Sequence, residues 1–419
     1  MPEDFVKRDE QFIREYDILM SNANSYELVG KVSLVQGVPE KATLGAFITM
    51  LRARDDVDPR FFFYQLRSTR VVKEIRSRAS TTTNISNVST GKLKDIPLWV
   101  APLDQQKRIV AKIEELFSHI DAGIDALKKA KQLLKQYRQS VLKAAVTGEL
   151  TKEWREANKD KLEPASQLLE RILKERRQKW EEQQLEQFKD KGKMPKDDKW
   201  KEKYKEPVFE GHADLEVCED WTYVSLDMIA DAIDPNPSHR MPKYVEIGVP
   251  FISTDNFEGQ DEIDFSKGKK VAKETYEDLI KKYYIEEGDF AFSRIGTIGK
   301  TRLLPTDREY CLSHSLSIIK IKFSEVYPNY LRQVMSSKDV LKQALHGVQS
   351  VGVPDLGMAK IRNFEIPFPT LKEQELISEI IGDKTDSMTR LENEFEHQFI
   401  KAEKNKRAIL ASAFSGGLI

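Results

Sequence analysis

Apolar residues recur in steps of three and four along two long stretches of the chain, which is the spacing of a helix that buries one stripe. The first stretch covers residues 109–141 and the second covers residues 377–409. An average step near 3.5 residues is typical of coiled-coil packing. Each stretch is followed by a glycine, Gly148 or Gly416, where helices commonly end. The pattern predicts two long helices, the first over residues 105–147.

Both helices lie within a longer internal repeat. The string KAAVTGEL at 143–150 returns as ASAFSGGL at 411–418, and LDQQ at 103–106 returns as LKEQ at 371–374. Both matches share one offset, because 411 minus 143 and 371 minus 103 each give 268. Repeats of this kind define the architecture of a chain. The repeating unit here is a domain followed by a helix.

Weaker matches extend the repeat upstream. They pair Asp17 with Asp289, Gly30 with Gly299, and Asp58-Pro59 with Tyr327-Pro328. Ile96-Pro97 matches Ile366-Pro367 at an offset of 270 (366 minus 96), which is two more than the offset of 268 found for LDQQ and LKEQ. The difference predicts two extra residues in the first copy. At the offset set by Asp17 and Asp289, residues 212–272 have no counterpart. We therefore expect the first domain to lack its opening segment, either through truncation or because another copy or chain completes it.

Each long helix needs a partner for its apolar stripe, because one exposed stripe of this length is unfavourable in water. The other helix of the same chain is the obvious partner. We expect an intramolecular antiparallel pair. The alternative is that each helix packs only on its own domain.

The globular segments contain signals for both strands and helices. Short apolar runs such as VPFIS, GDFAFSR and LSIIKIKF predict strands, and YPNYLRQVMSSKDVLKQAL predicts a helix. The expected class is α+β, with two mixed α/β domains, the first incomplete, separated by a long antiparallel two-helix coiled coil. The expected segments are a truncated first domain at 1–103, a long helix at 104–150, a charged helical linker at 151–211, a complete second domain at 212–371 and a second long helix at 372–419.

The linker is dense in charges of both signs. Pro164 followed by apolar residues at 168, 169, 172 and 173 predicts one amphipathic helix with many i,i+4 charge pairs. Residues 190–207 have the composition of an irregular linker. Two interpretations stay open for the whole segment: a solvated connector, or a docking surface for another protein.

Composition limits the class of protein. Of the 419 residues, 40% are hydrophobic, which allows sizeable cores, and 32% are charged, above the roughly 25% of typical globular proteins. Lysine plus arginine number 67 against 68 acidic residues, so any polyanion site must be local. Cys218 and Cys311 fit a reducing compartment. With neither a signal peptide nor a membrane span in the pattern, we expect a cytoplasmic protein.

Every catalytic motif in the sequence is incomplete. RIGTIGKT at 294–301 ends like a phosphate-binding loop, but Arg294 stands where that motif needs glycine. DPNPS at 234–238 partly matches an amino-methyltransferase signature, yet Ser238 replaces the aromatic residue. The six histidines form no metal-ligand pair. We expect a protein that is no enzyme and holds neither cofactor nor metal.

Polar side chains on the predicted loops combine phosphate-binding and base-reading types. In the second domain the candidates are Asn236, Ser238, His239, Arg240, Lys243, Thr254, Asn256, Ser293, Arg294, Thr297 and Lys300. In the first domain they are Ser21, Asn22, Asn24, Lys31, Thr82 and Asn84. Such residues are often only solvated turns, but their recurrence at matched places in two copies favours a shared DNA-binding role.

Several strings resemble the specificity subunit of type I restriction-modification systems. IPLWVAPLDQQKRI at 96–109 and IPFPTLKEQELI at 366–377 are similar to the family's exit from each target recognition domain, and RQSVLKAAVTGELTKEWRE at 138–156 is similar to the end of its first conserved helix. The resemblance implies two target recognition domains, each reading one half of a split DNA sequence. It also implies two methyltransferase subunits docked on the helices, with restriction subunits joining through them.

Two rival functions stay open at the level of sequence. One is a coiled-coil adaptor whose repeated domains bind proteins without sequence-specific DNA binding. The other is an enzyme with an unrecognised site, which methyl transfer by the purified chain alone would reveal.

Overall fold

The computed structural model describes residues 8–38, 41–82, 85–209, 211, 218, 220–238, 240–259, 261–346 and 353–418. The chain forms two compact units. Unit 1 comprises residues 1–133 with 390–419, and unit 2 comprises residues 134–389. Each unit therefore contains one globular domain and one section of each long helix.

The first domain is a small α+β domain. Its elements are β1 Ile18–Ser21, β2 Ala23–Asn24, β3 Val32–Leu34, β4 Ile48–Leu51, α1 Pro59–Arg67, α2 Thr69–Ser77, β5 Ser80–Thr82, β6 Ile85–Asn87 and α3 Thr90–Lys94. One antiparallel sheet has the order β3-β1-β4, and a second has the order β2-β6-β5. Ile18, Met20 and Ile75 are fully buried between the first sheet and the helices.

Three helices follow the first domain. They are α4 Leu103–Val146, α5 Lys152–Asn158 and α6 Ala165–Asp190. Helix α4 begins two residues before the predicted start and ends one residue before the predicted end. After it, Gly148 adopts a positive φ of 77°, a conformation that glycine adopts without steric penalty.

The second domain is larger. Its elements are β7 Thr222–Ser225, α7 Leu226–Ile229, β8 Asp231–Ile233, β9 Tyr244–Val245, β10 Val249–Ile252, β11 Phe257–Glu258, β12 Glu262–Ile263, β13 Lys269–Val271, α8 Lys273–Ile280, β14 Phe290–Ser293, β15 Thr301–Leu303, β16 Cys311–Leu312, β17 Leu316–Lys320, α9 Pro328–Met335, α10 Lys338–His346, α11 Met358–Arg362 and β18 Glu365–Phe368. Its sheets have the orders β15-β14-β17-β8, β16-β10-β13-β9, β18-β7 and β11-β12. Helix α12, Leu371–Ala413, follows.

The hydrogen bonds confirm the internal repeat. Where α4 begins, the carboxamide oxygen of Gln106 accepts the Asp58 N–H at 2.8 Å, and its nitrogen donates to the Ala101 carbonyl at 2.7 Å. Where α12 begins, Gln374 accepts the Tyr327 N–H at 2.8 Å. Its nitrogen donates to the Pro369 carbonyl at 3.0 Å. We call this arrangement the glutamine clasp. In each copy it ties the start of a long helix to the start of α1 or α9.

The prediction of two extra residues in the first copy is wrong. Ala101 and Pro369 occupy the same place in the two clasps, at the offset of 268 (369 minus 101). Upstream, α3 and α11 begin at Thr90 and Met358, again 268 apart. No insertion lies between these points, so the similarity between Ile96-Pro97 and Ile366-Pro367 is a coincidence of composition.

The long helices run antiparallel in both units. In unit 1, Asp121 pairs with Lys406 and Lys131 pairs with Glu396, so one residue number rises as the other falls. In unit 2, Val141 of α4 and Ile377 of α12 share one buried cluster. These contacts confirm the predicted antiparallel pair and the α+β class.

The two similar endings dock in the same way. In unit 1, Ala413 and Phe414 at the end of α12 pack in a cluster with Phe61 of the first domain, and the rings of Phe414 and Phe61 lie 5.3 Å apart. In unit 2, Ala145 and Val146 at the end of α4 join the core of the second domain. The alternative in which each helix packs only on its own domain is therefore wrong.

The linker is more ordered than its composition predicted. Leu168 and Ile172 of α6 are buried in the core of the second domain, and the Arg176 guanidinium lies 3.0 Å from the Asp231 carboxylate. The segment predicted to be irregular also folds. Trp200 lies in a short 3-10 helix, Asp198–Lys203, and stacks on Trp180 at 6.0 Å. A fully solvated connector is therefore wrong, because one face of α6 is part of the domain.

Across the ranges that the structure describes, no helix is long and apolar enough to cross a membrane.

Candidate nucleic-acid interface

A tight turn carries candidate residues in each domain. Between β14 and β15, the Ser293 N–H donates to the Lys300 carbonyl at 2.8 Å. Between β1 and β3, the Ser21 N–H donates to the Lys31 carbonyl at 3.0 Å. Thr297 and Lys300 are exposed on the second-domain turn, and Lys31 is exposed on the first. The repeat therefore presents one cation at the same place in both copies.

Arg294 holds the loops of the second domain together. Its guanidinium donates to the His314 carbonyl at 2.9 Å and to the Leu356 carbonyl at 3.1 Å, and it pairs with Asp234 at 3.1 Å. A second carboxylate, that of Asp355, lies 3.5 Å away. We call these residues the Arg294 hub. Because the hub connects four separate loops, it fixes the backbone on which the exposed polar residues lie.

Three more of the predicted DNA-binding residues are structural. Asn256 is buried; it accepts the Ser253 N–H at 2.9 Å and donates to the Lys267 carbonyl at 2.9 Å. Asn236 is buried and donates to the Arg240 carbonyl at 3.0 Å.

Ser293 is buried too, and its hydroxyl accepts the Lys300 N–H at 2.8 Å. Together with Arg294, these three side chains are buried and hydrogen-bonded within the domain, so they support their loops, and their contact with DNA stays a prediction. Sequence could not show this, because the partners of Arg294 lie about 20 to 60 positions away.

The other second-domain candidates can reach a ligand. Ser238, Arg240, Lys243, Thr297 and Lys300 are exposed, and Thr254 is half-buried. His239 lies outside the described residues. Backbone bonds join the loops that carry them. The Ser313 N–H donates to the Ile252 carbonyl, two residues before Thr254, at 2.8 Å; Arg294 donates its N–H to the Ser315 carbonyl and accepts the Leu356 N–H, both at 2.9 Å.

Sequence reasoning missed the apolar residues of this region. Ile247 is 92% exposed, and Tyr244 is exposed beside Lys269, whose ammonium lies 4.5 Å from the ring centroid. Neither the acidic partners of the Arg294 hub nor these apolar residues belong to a recognised motif. Asp234 is the first residue of the DPNPS turn, Tyr244 and Ile247 follow that turn within ten residues, and Asp355 lies far along the chain.

The first domain presents a smaller set. Ser21, Asn22, Asn24, Lys31 and Thr82 lie on or beside the β1–β3 turn and the β2-β6-β5 sheet, and Asn84 lies outside the described residues. Asn24 and Thr82 are exposed. Asn22 has the backbone bonds of Arg294, donating to the Phe47 carbonyl and accepting the Val88 N–H. Its short side chain cannot form a hub of the same size.

Comparison with known families identifies this architecture. The sequence profile of the type I restriction modification DNA specificity domain matches residues 218–399. Residues 218–399 therefore belong to this family of DNA specificity domains. The matched range contains the Arg294 hub, the exposed loops and the first part of α12, so the family match includes the candidate interface.

Curated relatives support the assignment over most of the chain. The specificity subunit of the type I restriction enzyme EcoBI of Escherichia coli is 23% identical over 383 residues, which is 90% of this chain and 70% of the relative. The EcoKI specificity subunit of Escherichia coli strain K12 is 30% identical over 155 residues, 37% of this chain and 33% of the relative.

A solved structure shows the same fold. A chain from a type I restriction-modification complex superimposes with a TM-score of 0.62 at 16% identity, covering 97% of this chain and 83% of that one. These matches support a type I specificity subunit, the component that recognises the DNA sequence, and the curated relatives are named as specificity subunits.

Proposed function

We propose that this specificity subunit reads a split DNA target, with each domain contacting one half. The observation that carries the proposal is the matched turn: the same backbone hydrogen bond places Lys300 in one copy and Lys31 in the other. Two copies of one reader bind two half-sites, as dimeric DNA-binding proteins do. In the second domain we assign direct contact to Ser238, Arg240, Lys243, Thr254, Thr297 and Lys300.

The two halves are read unequally in this proposal. The second domain offers Arg240, Lys243 and Lys300 as exposed cations on loops that the Arg294 hub fixes. The first domain offers Lys31 with the amide of Asn24. Fixed donors lose less conformational freedom on binding than mobile ones. We therefore expect stronger base discrimination in the half-site of the second domain.

The long helices set the distance between the half-sites in this proposal. An α-helix rises about 1.5 Å per residue, so a helix pair of fixed register fixes a length. The ion pairs of Asp121 with Lys406 and Lys131 with Glu396 support a single register in unit 1. An apolar groove between the same helices, lined in part by Ile120, Ile124, Leu127 and Ala402, offers a place where another subunit can dock.

The partners follow from this arrangement. We propose that two methyltransferase subunits bind the helices, that restriction subunits join through them, and that the complex acts on cytoplasmic DNA. Because this chain is nearly neutral overall, its partners supply much of the phosphate contact.

The test of DNA reading uses this chain assembled with its methyltransferase subunits and a library of randomised split sites. Sequencing the bound or methylated fraction should give a strong preference in one half and a weaker one in the other. Loss of preference on Arg240→Ala with Lys243→Ala, against an unchanged result for Lys189→Ala on α6, would assign the reading to these loops. Absence of sequence preference at both halves would favour the adaptor function and refute DNA reading.

To test whether the long helices set the distance between the half-sites, both helices are lengthened. One added heptad in α4 after Gly123, matched by one in α12 at the facing Ala402, keeps the apolar seam in register and adds about 10 Å. The preferred spacer should lengthen by about three base pairs, at 3.4 Å each, while both half-sites stay the same. The heptad in α4 alone is the control and should disrupt packing. An unchanged spacer in the protein with both insertions would contradict the proposal that the helices set the distance between the half-sites.

A further inference from the structure

Residues 240–248 of the second domain, which we call the β9 arm, expose several large apolar side chains to solvent. They are Met241, Tyr244, Val245 and Ile247, and Ile247 is 92% exposed. A single exposed apolar residue is common on protein surfaces, whereas several close together mark a surface that binds a partner. The arm lies inside the range that matches the DNA specificity domain, residues 218–399.

The backbone of the arm is short and closely packed. Strands β9 and β10 pair with opposite edges of β13, because the order in their sheet is β10-β13-β9. Only residues 246–248 connect β9 to β10, so these three residues cross over β13. A Cβ at Gly248 would collide with the Val271 carbonyl oxygen, which shows how closely the crossing follows that strand. Ile247, the middle residue of the crossing, is therefore held at a fixed place with its side chain in solvent.

Hydrogen bonds fix the start of the arm. The Asn236 side chain donates to the Arg240 carbonyl at 3.0 Å, and the Asn236 backbone N–H donates to the Asp234 carboxylate at 2.9 Å. Asp234 is also the ion-pair partner of Arg294. The arm is thus connected to the Arg294 hub. A group that is fixed before binding loses little conformational freedom when it contacts a ligand.

Cations surround the apolar side chains of the arm. Arg240 and Lys243 are exposed within it, and the Lys269 ammonium of β13 lies 4.5 Å from the centroid of the Tyr244 ring. Glu246 is the one acidic residue of the arm. Apolar and cationic groups together are complementary to a partner that combines apolar groups with negative charge. DNA is such a partner, because its phosphates flank a groove in which thymine presents a methyl group.

The strands of the arm favour the major groove. That groove is about 12 Å wide and admits a two-stranded β-ribbon, whereas the minor groove is about 6 Å wide. Strands β9 and β13 form such a ribbon, and among the described residues β9 is the outer strand of its sheet. The methyl group at C5 of thymine lies in the major groove, where apolar side chains contact it. An aliphatic side chain at the end of this ribbon can therefore distinguish one base from another.

We propose that Ile247 is a specificity-determining residue of the second domain, which contacts the methyl group at C5 of one pyrimidine in the major groove. Thymine carries this group in unmodified DNA, and 5-methylcytosine carries it at the same place on a cytosine. Lys269, beside the Tyr244 ring, is placed to neutralise a neighbouring phosphate. The inference rests on the proposed reading of DNA and adds an apolar contact to its polar ones.

The test uses this chain assembled with its methyltransferase subunits and the split target selected from the randomised library. Each thymine is replaced in turn by deoxyuridine, which pairs in the same way and lacks only the C5 methyl group. At one thymine of the second-domain half-site, the replacement should weaken binding about fourfold, the effect of one buried methyl group. The Ile247→Ala complex should bind the two DNAs equally. Leu345→Ala, at an exposed aliphatic residue of α10, is the matched control and should keep the fourfold difference.

A second series of DNAs distinguishes the two sources of the methyl group. Each cytosine of the target is replaced in turn by 5-methylcytosine. Stronger binding at one cytosine that is lost in the Ile247→Ala complex, without a thymine sensitive to deoxyuridine, would assign the contact to 5-methylcytosine. If neither series gives a position whose effect depends on Ile247, the proposed contact is refuted.

The outcomes separate this inference from the proposed function. A complex without any sequence preference would refute both the reading of DNA and the contact of Ile247. A complex that keeps its preference, but in which no position depends on Ile247, would refute the contact alone. Mass measurement should show the same number of methyltransferase subunits with Ile247→Ala as with the unchanged chain. Loss of a subunit would overturn the inference, because the β9 arm would then bind protein and not DNA.

Discussion

The first and second domains share one scaffold and differ in what holds their loops. Both have antiparallel strands, short helices, and a glutamine clasp at the start of a long helix. In the second domain, residues 222–233 comprise β7, α7 and β8, pair with β18 and β17, and bury Leu226 and Ile229 in the core; we call this segment the plug. Among the described residues, the arginine hub is found only in the second domain. The comparison separates two tasks. The clasp and the helix endings attach a domain to the coiled coil, whereas the plug completes the core of the second domain and leads into Asp234, whose carboxylate pairs with Arg294.

The largest expected effect comes from breaking the plug. Leu226→Asp places a carboxylate at a fully buried position of the core, and we expect it to lower the free energy of unfolding of unit 2 by about 5 kcal/mol. Four of the five tryptophans lie in unit 2, so a guanidinium titration followed by tryptophan fluorescence reports this unit.

The control for the plug is Ile247→Asp, which lies in the same domain and is 92% exposed. It should leave the transition unchanged. If Leu226→Asp also left it unchanged, the plug would be dispensable to the second domain.

Local patterns predicted the long elements well. The apolar stripe of α4 continues without a break, so its bounds from sequence were within two residues of Leu103–Val146. The first and second copies were matched because glycine and aspartate stand at equivalent turns. Gly30 and Gly299 both have positive φ, 81° and 91°, and a Cβ on either would collide with the side chain of Ile75 or Leu341. The positive φ is a local property of each turn, so such positions are readable from sequence.

Features that depend on distant partners could not be predicted. Arg294 has the composition of a DNA-binding loop residue, and its burial follows from Asp234 and the carbonyls of His314 and Leu356, far along the chain. Trp200 lies in a charge-rich stretch, and its ring packs on Trp180 and Phe188 of α6, which lie 12 or more positions earlier in the chain.

The next effect compares the Arg294 hub with its counterpart. Arg294→Ala should lower the free energy of unfolding of unit 2 by about 3 kcal/mol, because it leaves the Asp234 carboxylate and two buried carbonyls without their donor. Asn22→Ala in the first domain should change the stability of unit 1 by less than about 0.5 kcal/mol, since its carboxamide oxygen has no partner among the described residues to lose.

Urea titration of each variant measures both effects, with exposed Arg240→Ala as the control in the second domain. An Arg294→Ala protein of unchanged stability that loses preference at one base pair would restore Arg294 as a base reader and contradict the hub.

The two glutamine clasps should give equal effects. Gln106→Ala and Gln374→Ala each remove the acceptor of one helix-start N–H and the donor to two carbonyls. Each should lower the stability of its own unit by about 2 kcal/mol. Hydrogen exchange resolved by peptide separates the two units, and the exposed neighbour Lys107→Ala is the control. A large effect from one clasp and none from the other would show that the copies are attached differently.

The smallest expected effect is on the DNA itself, at the matched turns. Lys300 and Lys31 are exposed cations in equivalent places, and a lysine that neutralises one phosphate adds about 0.9 to the slope of log affinity against log salt. Lys300→Ala should therefore reduce that slope by about 1 and weaken binding by about 1 kcal/mol at physiological salt, evenly across sequences. Lys31→Ala should have a smaller effect, because the described residues of the first domain include no arginine hub like the one that holds the loops of the second. Lys189→Ala, an exposed cation on α6, should leave the slope unchanged. The measurement is a salt-titrated binding isotherm of the assembled complex. Equal effects of both lysines would show that the Arg294 hub adds nothing to the contact of its turn with DNA, and a larger effect of Lys31→Ala would reverse the order of the two domains.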